Sequence, residues 1–390
     1  LPHSEGRNRI QSVDALRGLV MIVMALDHVR DFVSHSAQLF SPDDLTRTTT
    51  ALFFTRWITH FCAPTFMFTA GIGAYFWLQG CGRTTMALSR FLWSRGVWLL
   101  LLELTAMRFA LTFHLFEGPV ILLVLWALGA CMIALGFLVW LPARVLAALS
   151  VLIILLHNTL DPVQPKQFGS MAWLWNVLHR PGGFPVGGAF LVVSYPLIPW
   201  IFVMAAGFCF GRVVKMEEAA RRRWMLRLGV GMTIGFVLLR AVNVYGDVRP
   251  WAGGLLSFLN CTKYPPSLDY LLMTLGPALL TMAFLDRFRF SANNPLIVFG
   301  RVPLFFFVLH FYAAHLLALL LAWTRYGHAG FMWNALPAVG GDPAAFPTDY
   351  GVGLTGVYLC WLAIVVLFYP LCRWFAGVKE RRRDWWLSYL

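Results

Sequence analysis

Along the chain, long apolar runs alternate with short polar breaks. Ten such runs fall at about 13–34, 57–78, 94–113, 119–139, 142–158, 190–212, 224–243, 267–286, 302–323 and 353–374. Each is close to the roughly 20 residues a helix needs to cross the hydrocarbon layer. In lipid every backbone group must be paired internally, so runs of this length read as helices. None has the alternation of a membrane barrel strand. The pattern predicts an all-α polytopic integral membrane helix bundle with about ten transmembrane helices, in a single domain over 1–390. The breaks come in two kinds: short ones at 79–86, 140–141, 213–223 and 287–294, and long ones at 35–56, 159–189, 244–266 and 324–352. The long breaks are rich in Gly, Pro and Trp, and loops of that kind are where sites are usually built. A weak internal echo links Pro64–Gly71 with Pro199–Gly207, although Pro and Gly are common in membrane helices in any case.

Composition agrees with this picture. Hydrophobic residues make up 59% and charged residues 13% of 390 residues, against roughly 45–50% and about 25% in soluble domains. A soluble enzyme with one buried core and a disordered chain are both excluded. The net charge of +13 does not mark a nucleic-acid binder, because the basic residues sit on no polar domain. They gather instead at the short breaks and at both ends, among them Arg7, Arg9, Arg83, Arg95, Lys215, Arg221–Arg223, Arg287, Arg289 and Lys379–Arg383. Cytoplasmic loops collect Lys and Arg, so the short loops and both the N and C termini are expected to be cytoplasmic. The first run, preceded by Arg7 and Arg9, reads as a retained span rather than a cleaved leader. Seven cysteines, mostly in apolar stretches, give no disulfide framework.

Ionisable residues inside apolar runs need a reason, since each costs about 2.5–3.5 kcal/mol at mid-membrane. The first run carries Asp27, His28, Arg30 and Asp31 at its outer end. His28 and Asp31 are three apart and share a helix face, so a carboxylate there could orient the imidazole. Asp27 and Arg30 share a second face and could pair. A solvated helix end with local ion pairs explains the same residues. Of the ten histidines, His28, His35, His60, His114, His157, His179, His315 and His328 fall in outer loops or outer halves of helices, and His310 lies nearer mid-span. Longer outer loops account for some of these, but less well for His28, His60 and His310, which sit on apolar helices.

His60 opens the second run, four residues before Pro64. Proline cannot donate to the carbonyl four back, so the first turn is expected to break and free the His60 carbonyl. Glu103 and Arg108 are five apart and cannot face each other, so each is expected to pair with another helix. Ser267 follows two prolines and reads as the N-cap of the eighth run. Lys263 is placed at the outer surface, either as a ligand-binding group or as a snorkelling lysine. On the inner side, Arg17, Arg212, Lys215, Arg287, Arg289 and Arg301 ring helix ends; Arg17, inside the opening motif, is the strongest candidate for a phosphate contact. There is no Walker loop, GxGxxG, HExxH, GxSxG or cysteine-pair zinc spacing, and no metal is expected.

Four stretches resemble the transmembrane acyltransferase superfamily, most closely the bacterial relatives of heparan-alpha-glucosaminide N-acetyltransferase. They are Ser12-Val-Asp14-Ala-Leu-Arg17-Gly18-Leu running into Asp27-His28, His60-Phe-Cys-Ala-Pro-Thr-Phe-Met-Phe-Thr-Ala-Gly71, Lys263-Tyr-Pro-Pro-Ser267, and Asn294-Pro-Leu-Ile-Val-Phe-Gly-Arg301 running to His310. The resemblance implies an acyl-CoA-dependent N- or O-acetyltransferase. Acetyl-CoA would be used from the cytoplasmic side and a carbohydrate amine or hydroxyl acylated on the other. In the family an Asn at the outer end of the first span and a His in the following loop form the catalytic pair. Here Asp27 stands at the Asn position and His35 lies in the loop. His28 matches the His that ends the first span in related sugar O-acyltransferases, so the choice of catalytic His stays open.

A thioester is already activated, and its transfer needs a base for the acceptor and donors for the developing oxyanion. His28 is the favoured base, oriented by Asp31 or Asp27, with His60 alongside. Lys263, Ser267, His310 and Arg56 are candidate substrate-binding residues, and Arg17 and Arg301 candidate contacts to the acetyl-CoA donor. An acetyl-His relay is the alternative to direct transfer. The expected partners are the lipid bilayer and a carbohydrate acceptor, with no nucleic acid; a homodimer is compatible. The expected location is a bacterial inner (plasma) membrane, multi-pass. Two rival readings remain: a small-molecule transporter with a polar outer-half binding site, and a haem protein ligated by His28, His60 or His310.

Overall fold

The computed structural model describes residues 10–382 and 384–389. Arg7, Arg9 and Arg383 of the basic set lie outside them. The helices are α1 (Gln11–Val33), α2 (Thr50–Thr59), α3 (Cys62–Leu78), α4 (Thr85–Leu102), α5 (Arg108–Thr112), α6 (Val124–Leu138), α7 (Ala143–Leu156), α8 (Ala172–Leu178), α9 (Trp200–Val214), α10 (Glu218–Val242), α11 (Leu255–Leu259), α12 (Leu268–Leu285), α13 (Pro295–Arg301), α14 (Pro303–Tyr326) and α15 (Leu354–Arg381). This is an all-α polytopic membrane fold. Six helical stretches are long and apolar enough to cross a bilayer by length and composition: 50–78, 143–160, α10, α12, α14 and α15. Two more apolar helices, α6 and α9, are shorter. Rows of exposed aliphatic residues such as Val151, Leu152 and Leu155 on α7, or Leu359, Leu362, Val366 and Leu367 on α15, give the outside an apolar face that suits lipid.

The polar helix α1 is the centre of the bundle, buried over most of its length. It packs on α2, α3, α12, α13, α14 and α15. Helices approach closely where glycines meet backbone, as expected in membranes, where small residues rather than hydrophobic force bring helices together. An added Cβ at Gly18 would lie 1.8 Å from the Leu296 carbonyl oxygen, and one at Gly300 1.8 Å from that of Asp14. The opening motif and the Asn294–Arg301 motif are thus two sides of one crossing. The two echo segments also meet. A Cβ at Gly71 would lie 2.0 Å from Met204 O, and one at Gly207 2.0 Å from Phe68 O.

Two of the predicted spans begin differently. Residues 190–199 and 119–123 are not helical. They contribute β3 (Ala189–Val193) and β1 (Val120–Leu122), which with β2 (Gly182–Val186) form a three-stranded sheet in the order β1-β3-β2. β1 runs parallel to β3 and β2 antiparallel. The hairpin turns at Gly187–Gly188, both at positive φ, a two-glycine turn that matches strand twist. Elsewhere helix breaks fall at polar groups. The second span starts at Thr50 and breaks at His60–Phe61, where the freed His60 carbonyl accepts the Tyr270 hydroxyl at 2.8 Å. The third widens into a π turn at Glu103–Met107, a distortion that is common at functional sites.

Candidate functional site: an outer polar cavity above an inner apolar one

At the end of the bundle where α1 terminates lies a cavity of about 750 Å³. Its polar lining includes Asp27, His28, Arg30 and Asp31 from α1, Arg56 from α2, His60 from the α2–α3 break, Glu103 from the π turn, and Tyr195, Arg249, Lys263 and Tyr264 from loops. Below it is a more apolar cavity of about 300 Å³, with Arg17, Thr69 and Arg95 among its few polar groups. Met24, Phe66, Val124 and Phe307 line both cavities and form the boundary between them. At the inner end the Arg95 guanidinium donates to the Ser388 carbonyl, and the Tyr389 and Ser94 hydroxyls are 2.6 Å apart.

Each outer group is held by recognisable local structure. Arg30, 3% exposed, lies 2.8 Å from Asp27 and 2.7 Å from Asp31, and Arg56 donates to the other oxygen of Asp27. Asp27 Oδ1 is near Arg30 but out of line for a hydrogen bond. Ser267 caps α12 through the Tyr270 N–H at 3.1 Å, as its position after two prolines predicts. Asp247 accepts from the Thr262 N–H, the Thr262 hydroxyl and the Ser267 hydroxyl, closing a turn that presents Lys263 and Tyr264 to the cavity. His157 Nε2 steadies the same turn at the Pro266 carbonyl. The sheet delivers Tyr195 two residues after β3, with its hydroxyl 3.2 Å from that of Tyr264. Burial would raise the pKa of Tyr264, but Lys263 and Arg56 outweigh it and hold the phenol below its ordinary value. Among the described residues, no carboxylate lies within ion-pair distance of Lys263. At the rim, Arg249 pairs with Asp43 at 2.7 Å. Burial raises Asp43, but the Ser41 hydroxyl and Arg249 hold it at about 2.

Of the expected groups, Asp27, His28, Asp31, Arg56, His60 and Lys263 share the outer cavity. Four details differ from expectation, and one open choice is narrowed. His28 is not bonded to a carboxylate: its Nδ1 lies 2.7 Å from His310 Nε2, because Arg30 draws both Asp27 and Asp31 to itself. His310 is fully buried behind His28 and lines neither cavity. Ser267 is 1% exposed and outside the lining, since the cap and Asp247 use its hydroxyl. Arg301 lines neither cavity; it pairs with Glu380. His35 is likewise outside the lining, bonded to the Tyr350 carbonyl at 2.9 Å, which leaves His28 as the first-span histidine that faces the cavity.

Glu103 pairs with a helix, as expected, but with its end: it accepts from the N–H groups of Leu123 (3.2 Å) and Trp126 (3.0 Å) at the start of α6. A carboxylate there complements the helix dipole. Asp43, Arg249 and Tyr195 are not singled out by sequence, and Arg95 only as one of the basic residues that mark the inner side. Pro196, directly after Tyr195, would have cut short the predicted span, but Asp43 and Arg249 sit in long loops without a motif. Among the described residues no group of three or more His, Cys, Asp or Glu is arranged to hold a metal ion.

A family model described as "Heparan-alpha-glucosaminide N-acetyltransferase, catalytic" matches residues 9–238, more than half of the chain. The match includes His28, Arg56, His60 and Tyr195 and stops before Lys263 and His310. No curated protein matches the chain.

Proposed function

Because the chain belongs to the heparan-alpha-glucosaminide N-acetyltransferase catalytic family and is a membrane acetyltransferase, we propose that it takes an acyl group, acetyl in the simplest case, from cytoplasmic acyl-CoA. The acyl group goes to an amine or hydroxyl of a carbohydrate on the opposite side of a bacterial inner membrane. The observation that carries this reading is the pair of cavities meeting at Met24, Phe66, Val124 and Phe307. Arg17 and His28 lie eleven residues apart on α1, a rise of about 16 Å. That separation suits an extended phosphopantetheine arm with its phosphate toward Arg17 and Arg95 and its thioester near His28.

In this mechanism the acceptor sits in the outer cavity, and His28 Nε2 removes its proton as the nitrogen or oxygen attacks the thioester carbonyl. The new C–N or C–O bond forms, the C–S bond breaks, and the leaving thiolate takes the proton back from His28. His60 and Lys263, which line the same cavity, donate to the oxyanion of the tetrahedral intermediate in this reading, stabilising charge where it develops. Asp27, with Arg30 and Arg56, fixes the polar wall beside His28.

The test is acetyl transfer by purified protein in nanodiscs, from acetyl-CoA to a glucosamine-terminated oligosaccharide, with His28→Ala as control. Transfer that falls by about 10²-fold or more in the variant is the expected result. No transfer by the wild-type protein to amino or hydroxyl sugars, or full transfer by His28→Ala, overturns the reading.

A further inference from the structure

We infer that His310 is a positioning residue that fixes the tautomer of His28, leaving His28 Nε2 as the proton-accepting nitrogen of a chain that contains no carboxylate. The catalytic half of this inference rests on the acyltransferase reading above; the tautomer itself does not.

It follows from two distances and elementary valence. His310 Nδ1 lies 2.9 Å from the Phe306 carbonyl oxygen. A carbonyl only accepts, so His310 Nδ1 carries a hydrogen. The His310 ring is fully buried among Phe306, Phe307 and Phe311, with centroids at 5.2, 5.6 and 4.9 Å. Such an aromatic box disfavours a second proton, because a buried charge without a counter-ion is costly. A neutral imidazole has one N–H, so His310 Nε2 is an acceptor. It lies 2.7 Å from His28 Nδ1, and two facing lone pairs cannot approach so closely. The hydrogen is therefore on His28 Nδ1, and neutral His28 has its lone pair on Nε2.

The ring is also held in place. The His28 and His310 rings are nearly parallel, 21° apart with centroids at 5.0 Å, and Phe311 packs on His28 at 4.0 Å. The charged and titratable groups facing His28 are Asp27 from its own helix, Arg56 from α2, Lys263 from the loop before α12, and His310 from α14. In a Ser–His–Asp arrangement a carboxylate both orients the imidazole and stabilises its charge. His310 supplies the orientation alone; Asp27 is the nearby negative charge.

The experiment is solid-state ¹⁵N NMR of histidine-labelled full-length protein in lipid bilayers. The His28 signal is identified by its loss in His28→Gln. The expected spectrum has protonated Nδ1 and unprotonated Nε2 at His28. His310→Ala should shift His28 toward the other tautomer and lower kcat by about 10²-fold, with KM for acetyl-CoA little changed. His310→Gln, which keeps an acceptor, should recover part of both. A wild-type His28 protonated at Nε2, or a tautomer unmoved by His310→Ala, overturns the inference. Absence of acyl transfer alongside the expected spectrum would count against the acyltransferase reading and not against the tautomer.

Discussion

Asp27→Asn is the sharpest perturbation of the outer cavity, because it removes one charge and almost no volume. Arg30 keeps Asp31 at 2.7 Å, so the loss falls on Arg56, whose carboxylate partner is Asp27. Stranding one member of a fully buried pair costs about 3–5 kcal/mol, and a hydrogen bond to a charged group contributes about 1.5–3 kcal/mol. Arg56 keeps 17% side-chain exposure to the cavity, so water offsets part of the loss, and about 2 kcal/mol is expected. The assay is equilibrium unfolding in mixed micelles of the wild type, Asp27→Asn, Arg56→Gln and the double variant. A double-mutant cycle isolates the pair. A coupling energy near 2 kcal/mol supports the geometry. A coupling below about 0.5 kcal/mol, the level of exposed surface pairs, would refute the claim that these two groups are locked together.

Gly18→Ala should cost about 1–3 kcal/mol or more, as overpacking does, because its Cβ would meet the Leu296 carbonyl at 1.8 Å. Gly231→Ala on α10, with open space around it, should be neutral or stabilising by up to about 1 kcal/mol; thermal unfolding of the two variants separates the cases. Phe66→Trp fills the boundary between the cavities and should lower kcat/KM for acetyl-CoA about tenfold, equivalent to ~1.4 kcal/mol, in the nanodisc transfer assay. Asp43, held at about 2, lies below the ordinary carboxylate value near 3.9. A depressed carboxylate stabilises the folded state above its unfolded pKa, and that contribution fades as pH falls toward 2. Asp43→Asn should therefore cost about 1 kcal/mol at neutral pH, after allowing for exposure at the rim. Its deficit against wild type, read by proteolysis of the 34–49 loop, should vanish near pH 2.

What could be read from sequence follows from how local each feature is. The break at His60 was legible because Pro64 acts on a carbonyl of its own helix, and the Ser267 cap because a cap is decided within three residues. The apolar runs located the helices, but hydrophobicity alone does not separate a strand from a helix start. Gly187–Gly188 before the β-branched 192–193 pair carried that information and was outweighed by run length. The orienter of His28 was misread for a different reason. Spacing on α1 offers Asp31, yet the carboxylates answer to Arg30 and Arg56, and His310 arrives from a helix some 280 residues away in the chain. Arg301 and His35 fit the resemblance in sequence and were drawn off by Glu380 and the Tyr350 carbonyl. Ion-pair competition of this kind is a property of the assembled bundle.

The most direct measurement uses sealed proteoliposomes, with labelled acetyl-CoA confined to the side on which Arg17 and Arg95 open. A membrane-impermeant glucosamine-terminated oligosaccharide is placed on the other side. The account predicts labelled acetyl on the oligosaccharide and unlabelled CoA retained with the donor compartment. Label that reaches the sugar only when donor and acceptor share a compartment, or sugar that accumulates across the membrane without thioester cleavage, would contradict it.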